Sequence, residues 1–430
     1  MKKLFILAFL IPLLSIAQNQ ISGTFSPSDM FSKVFLYQVT PNYPTYISYS
    51  SIASDGNASI ALENNLAPGM YRLVFGIPQD EFYFDFIYNG KEDVTFKYDA
   101  NDGVSYISSE ENLMLQEYNA HINEAKEMLN ATFGPNVKKS TYFNVFKTIG
   151  NVQDYYETES EGMIANHFIK TGRIPNPSEQ LSVDEFLALE KTEFFKNIDF
   201  NDTVLQHSDY LTNASRIYVL RFSENNEQYK ENIKTVAEKA SGNYKVQKSI
   251  MERLWYDTSS AENLEIANFI ADNYLLSLAE KTGDTKLITD IKTYSQTAVG
   301  AKAPNFSVTD SKTLYDLNDA QHYLLIFWSS TCSHCLKELP QVKKFLEAHP
   351  NKQLQVVAFG LEDEDSPWEQ TITQFPTYTH VYGAGKWENK TARTYNIVAT
   401  PTYFILDSNK TIVAKPENLE ALETALEAIK

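Results

Sequence analysis

Cysteine is nearly absent from this chain: 430 residues hold two, Cys332 and Cys335. That scarcity excludes a scaffold stapled by disulfides, because a bridge across so short a loop constrains the unfolded chain very little. Basic residues are outnumbered, 37 Lys and Arg against 55 Asp and Glu, for a net charge of -18. Nucleic acid and anionic membrane surfaces would repel such a chain and are not expected partners. Histidine is sparse as well: of seven, only His334 lies near the cysteines. A tetrahedral zinc site lacks its ligands, so neither a metal nor a cofactor is expected. Internal repeats and low-complexity tracts are missing too. What remains is 43% hydrophobic and 13% aromatic, the composition of a globular chain long enough for several domains.

Long apolar runs are confined to the start. Lys2 and Lys3 precede an apolar stretch from Leu4 to Leu14, and Ser15-Ile16-Ala17 follows with small residues where a signal peptidase reads. The stretch is shorter than the ~20 residues of a spanning helix. Residues 1–17 are therefore read as a signal peptide, with a mature chain that is exported, soluble and without an integral membrane span. No cysteine follows the apolar run, so a lipoprotein anchor is not expected.

Three zones follow. Residues 18–104 alternate in short stretches, KVFLYQV, YISYSSI, MYRLVFGI, FYFDFIY and DVTFKY, broken by Asp55-Gly56-Asn57, Pro68-Gly69 and Asn89-Gly90. This is the pattern of an antiparallel β-sandwich. Its aromatic residues Phe82, Tyr83, Phe84, Phe86 and Tyr88 are read as packing residues in preference to a ligand face. Residues 105–297 turn helical, as in AENLEIANFIADNYLLSLAEK, where Leu264, Ala267, Ile270 and Leu275 share one side.

Residues 298–430 change character again. HYLLIFW and QLQVVAFG are nearly continuous apolar runs, the mark of parallel strands covered on both faces, so this zone is α/β. Beyond the first run, Leu336, Leu339, Val342, Phe345 and Leu346 mark a helix that ends before Pro350, placing Cys332 at its N-terminus. Unpaired N–H groups and the helix dipole stabilise a thiolate there, lowering a pKa of about 8.5 into the range of roughly 3.5 to 7.5. Cys332 is thereby the expected nucleophile. Cys335, one turn deeper, is the expected resolving thiol.

AKAPNFSVTD, LLIFWSSTCSHCLKELP and YNIVATPTYFILDSNKTIV together resemble the thioredoxin-like thiol–disulfide oxidoreductases of the bacterial envelope, the TlpA/ResA-like group. The resemblance covers residues 300–430. It implies a thioredoxin-like fold in which Pro401 is the cis-proline beside the cysteines and Thr400 offers backbone to an extended substrate. Trp328 and His334 join Thr400 as expected substrate contacts. Glu338 matches the acidic residue that handles the proton of the resolving thiol, and Pro340 the helix-kinking proline.

The chain also departs from its relatives. Ile326 stands where cytosolic thioredoxins bury an aspartate, Thr331 replaces a common tryptophan, and Ser333-His334 is neither Gly-Pro nor Glu-Pro. The proline that peroxiredoxins require before their cysteine is missing, and Gly383-Ala384-Gly385-Lys386 lacks the spacing of a phosphate loop and is read as a plain loop before Trp387. The reading is a periplasmic thiol–disulfide oxidoreductase exchanging electrons with protein thiols and an upstream envelope redox partner. Residues 18–297 would form a recognition or homodimerisation platform. The competing reading is an envelope ligand-binding or scaffold protein whose thioredoxin-like domain is structural.

Overall fold

The computed structural model describes residues 19–429 except 42, 64–65, 135 and 351–352. The signal peptide expected at 1–17 lies outside them. Among the described residues no helix is long and apolar enough to cross a membrane. The chain divides into two compact units, one reaching to Ser223 and including Lys234–Ile250, the other formed by Glu224–Ile233 and Met251–Lys430. The helical zone read from the sequence is thus shared between two units.

The first unit opens with eight strands: β1 (Gln20–Ser26), β2 (Lys33–Gln38), β3 (Thr45–Ser51), β4 (Asn57–Ala61), β5 (Gly69–Val74), β6 (Tyr83–Tyr88), β7 (Val94–Asp99) and β8 (Gly103–Ser108). They form two four-stranded sheets, ordered β4-β1-β7-β8 and β3-β2-β5-β6. One apolar cluster draws on both, with Ile21, Phe25 and Phe96 from the first and Leu36, Tyr71 and Phe86 from the second. Phe84, Phe86 and Tyr88 are buried in it, so these aromatic residues serve as core.

The expectation of purely antiparallel strands is corrected at one pair: β1 runs parallel to β7. A tight hairpin enforces antiparallel pairing only between neighbours in sequence, and five strands separate this pair. β1 itself escapes a reading by alternation because Gly23 interrupts it. A Cβ at Gly23 would lie 2.4 Å from the Phe96 carbonyl oxygen, so the neighbouring strand leaves no room for one.

Helices follow, beginning with Glu110–Asn130 and Lys139–Glu159. Asn112 on the first of these acts as a short strand mimic. Its Oδ1 accepts from Ile87 N at 2.8 Å and its Nδ2 donates to Ile87 O at 2.7 Å, satisfying backbone groups on the edge strand β6.

The second unit holds helices from 251 onward and a five-stranded sheet of β9 (His322–Trp328), β10 (Leu354–Glu362), β11 (Thr379–Ala384), β12 (Thr402–Asp407) and β13 (Ile412–Ala414). The order is β11-β10-β9-β12-β13. The continuous apolar runs become β9 and β10, paired in parallel, while β12 runs antiparallel to β9. Alternation splits their side chains between two cores. Leu325, Phe327, Val357 and Phe404 enter one, and Leu324, Ile326, Trp328, Val356 and Tyr403 enter the other.

The latter cluster includes Cys335, Leu339 and Val342 from the helix Ser333–Ala348. Pro340 lies inside that helix. Leu336, one of the residues whose spacing marks this helix, is 44% exposed. Gly383 and Ala384, read as loop, close strand β11, and the turn begins at Gly385.

Candidate active site

The C-terminal end of β9, at the centre of its sheet, delivers the chain through Ser329-Ser330-Thr331 to Cys332. Cys332 is the N-cap of the helix Ser333–Ala348, and its Sγ accepts from the Cys335 backbone N–H at 3.2 Å. The Cys335 thiol also donates to it, with the sulfurs 2.7 Å apart, and no disulfide joins them.

Cys332 is half-buried and Cys335 fully buried. Burial pushes the Cys335 thiol up to about 12. Burial also acts on Cys332, but hydrogen bonds with the Cys335 thiol, with Thr400 and with the Cys335 and His334 backbone N–H groups outweigh it. They bring Cys332 below the ordinary thiol value. The two sulfurs are thus chemically unequal: one is partly open to solvent with a lowered pKa, the other buried with a raised one.

The segment before β12 forms the second wall. The Thr400–Pro401 peptide bond is cis, and Thr400 O lies 3.4 Å from Cys332 Sγ. Strand pairing explains the proximity, since Thr402 sits opposite Phe327, next to the end of β9. Thr400 and Pro401 are both half-buried at this rim.

Glu338, one turn beyond Cys335, is buried and held from two sides. Its Oε2 meets His334 Nε2 at 2.8 Å, and its Oε1 accepts from the Tyr403 hydroxyl at 2.8 Å. His334 keeps 71% of its side chain exposed, so this contact joins an interior carboxylate to the surface. Burial, with Glu338 beside it, raises the Tyr403 hydroxyl and keeps it a donor.

The structure brings together six of the seven expected residues: Cys332, Cys335, His334, Glu338, Thr400 and Pro401. Trp328 is the exception. Its side chain has no exposed surface and packs in the cluster below Cys335, so it supports the thiols from beneath and has no face to offer a substrate. Alternation along β9 puts it on the same face as Leu324 and Ile326. Tyr403 and Glu362 were missed from sequence. Both sit on strands that reach the cysteine loop, and the signal for Tyr403 was its place two residues after Pro401, in register with Ile326.

A family model described as thioredoxin-like matches residues 320–412, which span the cysteines, Glu338 and Pro401. The thioredoxin-like protein YneN of Bacillus subtilis is 30% identical over 128 residues, 28% of this chain and 75% of that protein. The chain belongs to the thioredoxin-like family. The thiol-disulfide oxidoreductase ResA of Bacillus cereus is 24% identical over 135 residues, 31% of this chain and 77% of that protein. Among solved structures, a thioredoxin-like protein from Bacteroides caccae covers 60% of this chain and 98% of its own, at 20% identity and a TM-score of 0.39. By family this chain is a thioredoxin-like thiol–disulfide oxidoreductase.

Proposed function

We propose that the protein is exported to the periplasm and exchanges the Cys332–Cys335 dithiol with disulfides of protein substrates. The observation that carries this reading is the inequality of two sulfurs 2.7 Å apart, one with a lowered pKa and the other buried with a raised one. In the reducing direction the Cys332 thiolate attacks a substrate disulfide. An S–S bond forms between Cys332 and one substrate sulfur, and the other substrate sulfur leaves as a thiolate that takes up a proton. Cys335 then yields its proton to Glu338 and attacks Cys332 Sγ, releasing the second substrate thiolate. Two electrons pass to the substrate and a Cys332–Cys335 disulfide remains for an upstream envelope partner to reduce. Running every step backward oxidises a substrate dithiol.

His334 touches Glu338 and faces water, so it is suited to carry the proton out of the site. The Thr400 backbone would pair with an extended substrate strand, with Pro401 against the sulfurs. Exposed Leu336, beside Cys335 in sequence, offers such a strand an apolar contact. The two N-terminal sheets would form a sandwich over their shared core and, with the helices, serve as the recognition or homodimerisation platform.

The test is reduction of insulin by the full chain with dithiothreitol as electron source. The expected result is catalysis that Cys332→Ser abolishes, together with trapped partner adducts on Cys335→Ser in cells. A parent protein without activity, and without adducts on that variant, would overturn the reading.

A further inference from the structure

Glu362, the last residue of β10, is a buried carboxylate that the exchange steps leave unused: it is 1% exposed. Strand β10 pairs with β9 as far as Gly360 opposite Trp328. Two residues further on, Glu362 reaches the segment through which β9 passes to Cys332. Its Oε1 accepts from Ser330 N at 2.6 Å and its Oε2 from Ser330 Oγ at 2.7 Å, with Ser329 Oγ at 3.5 Å. Its own backbone oxygen accepts from Gly385 N at 2.9 Å, which ties this strand end to the turn after β11.

A carboxylate out of water is costly unless hydrogen bonds replace the lost solvent. Here the donors to it come from one short loop, so the charge and the loop conformation stabilise each other. An ionised carboxylate accepts at both oxygens, which suits the paired N–H and O–H of Ser330. The same loop reaches both cysteines: Ser329 O accepts from the Cys332 backbone N at 3.1 Å, and a hydrogen bond from the Ser329 backbone acts against burial in lowering the Cys335 thiol. The loop is closed further by Thr331 N donating to Ser329 Oγ at 3.3 Å.

We propose that Glu362 is a positioning residue: by binding Ser329 and Ser330 it holds the loop that sets Cys332 at its helix end and aims a backbone donor at Cys335. This rests on the exchange reaction proposed above. It adds a second interior carboxylate with a separate task, since Glu338 acts on the helix side of the sulfurs and Glu362 on the strand side. Glutamine at 362 keeps an acceptor for Ser330 N and a donor for Ser330 Oγ, whereas alanine keeps neither.

The experiment compares Glu362→Gln and Glu362→Ala in the full chain. One readout is resolution of the mixed disulfide with an aromatic model disulfide. The other, which needs no substrate, is titration of the Cys332 thiolate by ultraviolet absorbance. With the loop loosened, E362A should resolve about tenfold more slowly than the parent and E362Q within about threefold, because small misplacement of reacting groups is expensive. The Cys332 midpoint should lie about one pH unit higher in E362A than in E362Q, as the thiolate loses its helix-end donors. If near-ultraviolet circular dichroism shows E362A unfolded, Ser330→Ala replaces it, with resolution slowed about threefold expected. Equal rates and midpoints in the alanine and glutamine variants, or parent-like resolution in S330A, would overturn the proposal. A parent that fails to reduce any disulfide while its titration still separates the two variants would instead count against the exchange reaction.

Discussion

The Tyr403 hydroxyl donates to Glu338 Oε1 at 2.8 Å from a strand that pairs Tyr403 directly with Ile326. The buried carboxylate beside the cysteines comes from the helix and is held by a tyrosine on the strand next to β9. Three side chains in series, Tyr403, Glu338 and His334, lead from the interior to the surface.

The two thiols should separate in an alkylation experiment. Near neutral pH the reduced protein should lose Cys332 to iodoacetamide while Cys335 stays unmodified, because only the former is partly open to solvent and has a lowered pKa. Peptide mass spectrometry after brief labelling reads the ratio, and equal labelling would contradict the assignment. The raised pKa of Cys335 also has a sign in stability. Its contribution to the reduced fold is full below the ordinary thiol range and is lost as pH rises toward about 12, so chemical denaturation midpoints should fall over that interval.

Glu338→Gln should fold normally and resolve mixed disulfides at least about tenfold more slowly at neutral pH, since a positioned base is removed. The deficit should shrink as pH rises toward about 12, where Cys335 ionises unaided. Tyr403→Phe should slow the same step less, because Glu338 keeps its contact with His334. Rapid-quench measurement across pH checks both, and a pH-rate profile identical to the parent's would reduce Glu338 to a packing residue.

A fragment of residues 298–430 should fold and reduce a small model disulfide. Both apolar clusters of this region are built from residues within it, and Gly300 N and Ala303 N already bond to Ile412 O and Lys410 O at 2.8 Å. Circular dichroism and a disulfide-reduction assay decide. An unfolded fragment would assign the helices before 298 to its core.

Gly383→Ala should destabilise the protein by about 1–3 kcal/mol, the usual range for overpacking. An added Cβ would stand 2.2 Å from Phe359 Cε1 and 2.6 Å from the Gly360 carbonyl oxygen, and the backbone partner cannot swing away. Urea denaturation measures the loss. Unchanged stability would mean that β10 and β11 separate without cost at this point.

Much of this was legible in residue order because it depends on local chemistry. The continuous apolar runs HYLLIFW and QLQVVAFG required cover on both faces and became the parallel pair β9 and β10. The periodic leucines after Cys335 required a helix, and with it the unequal exposure of the two cysteines. β1 was not legible, because its Gly23 answers to Phe96 on a strand far along the chain. Nor was the burial of Trp328 read, although strand alternation pointed to it.

The sequence alone determined that two cysteines two residues apart open a helix after a buried strand, because strand period, helix period and helix-end electrostatics are properties of neighbours in the chain. Only the tertiary structure decided which groups surround them. Tyr403 meets Glu338 across 65 residues, Glu362 meets Ser330 across 32, and Thr400 reaches Cys332 across 68. These contacts follow from the register of β10 and β12 against β9, which packing of the whole sheet selects.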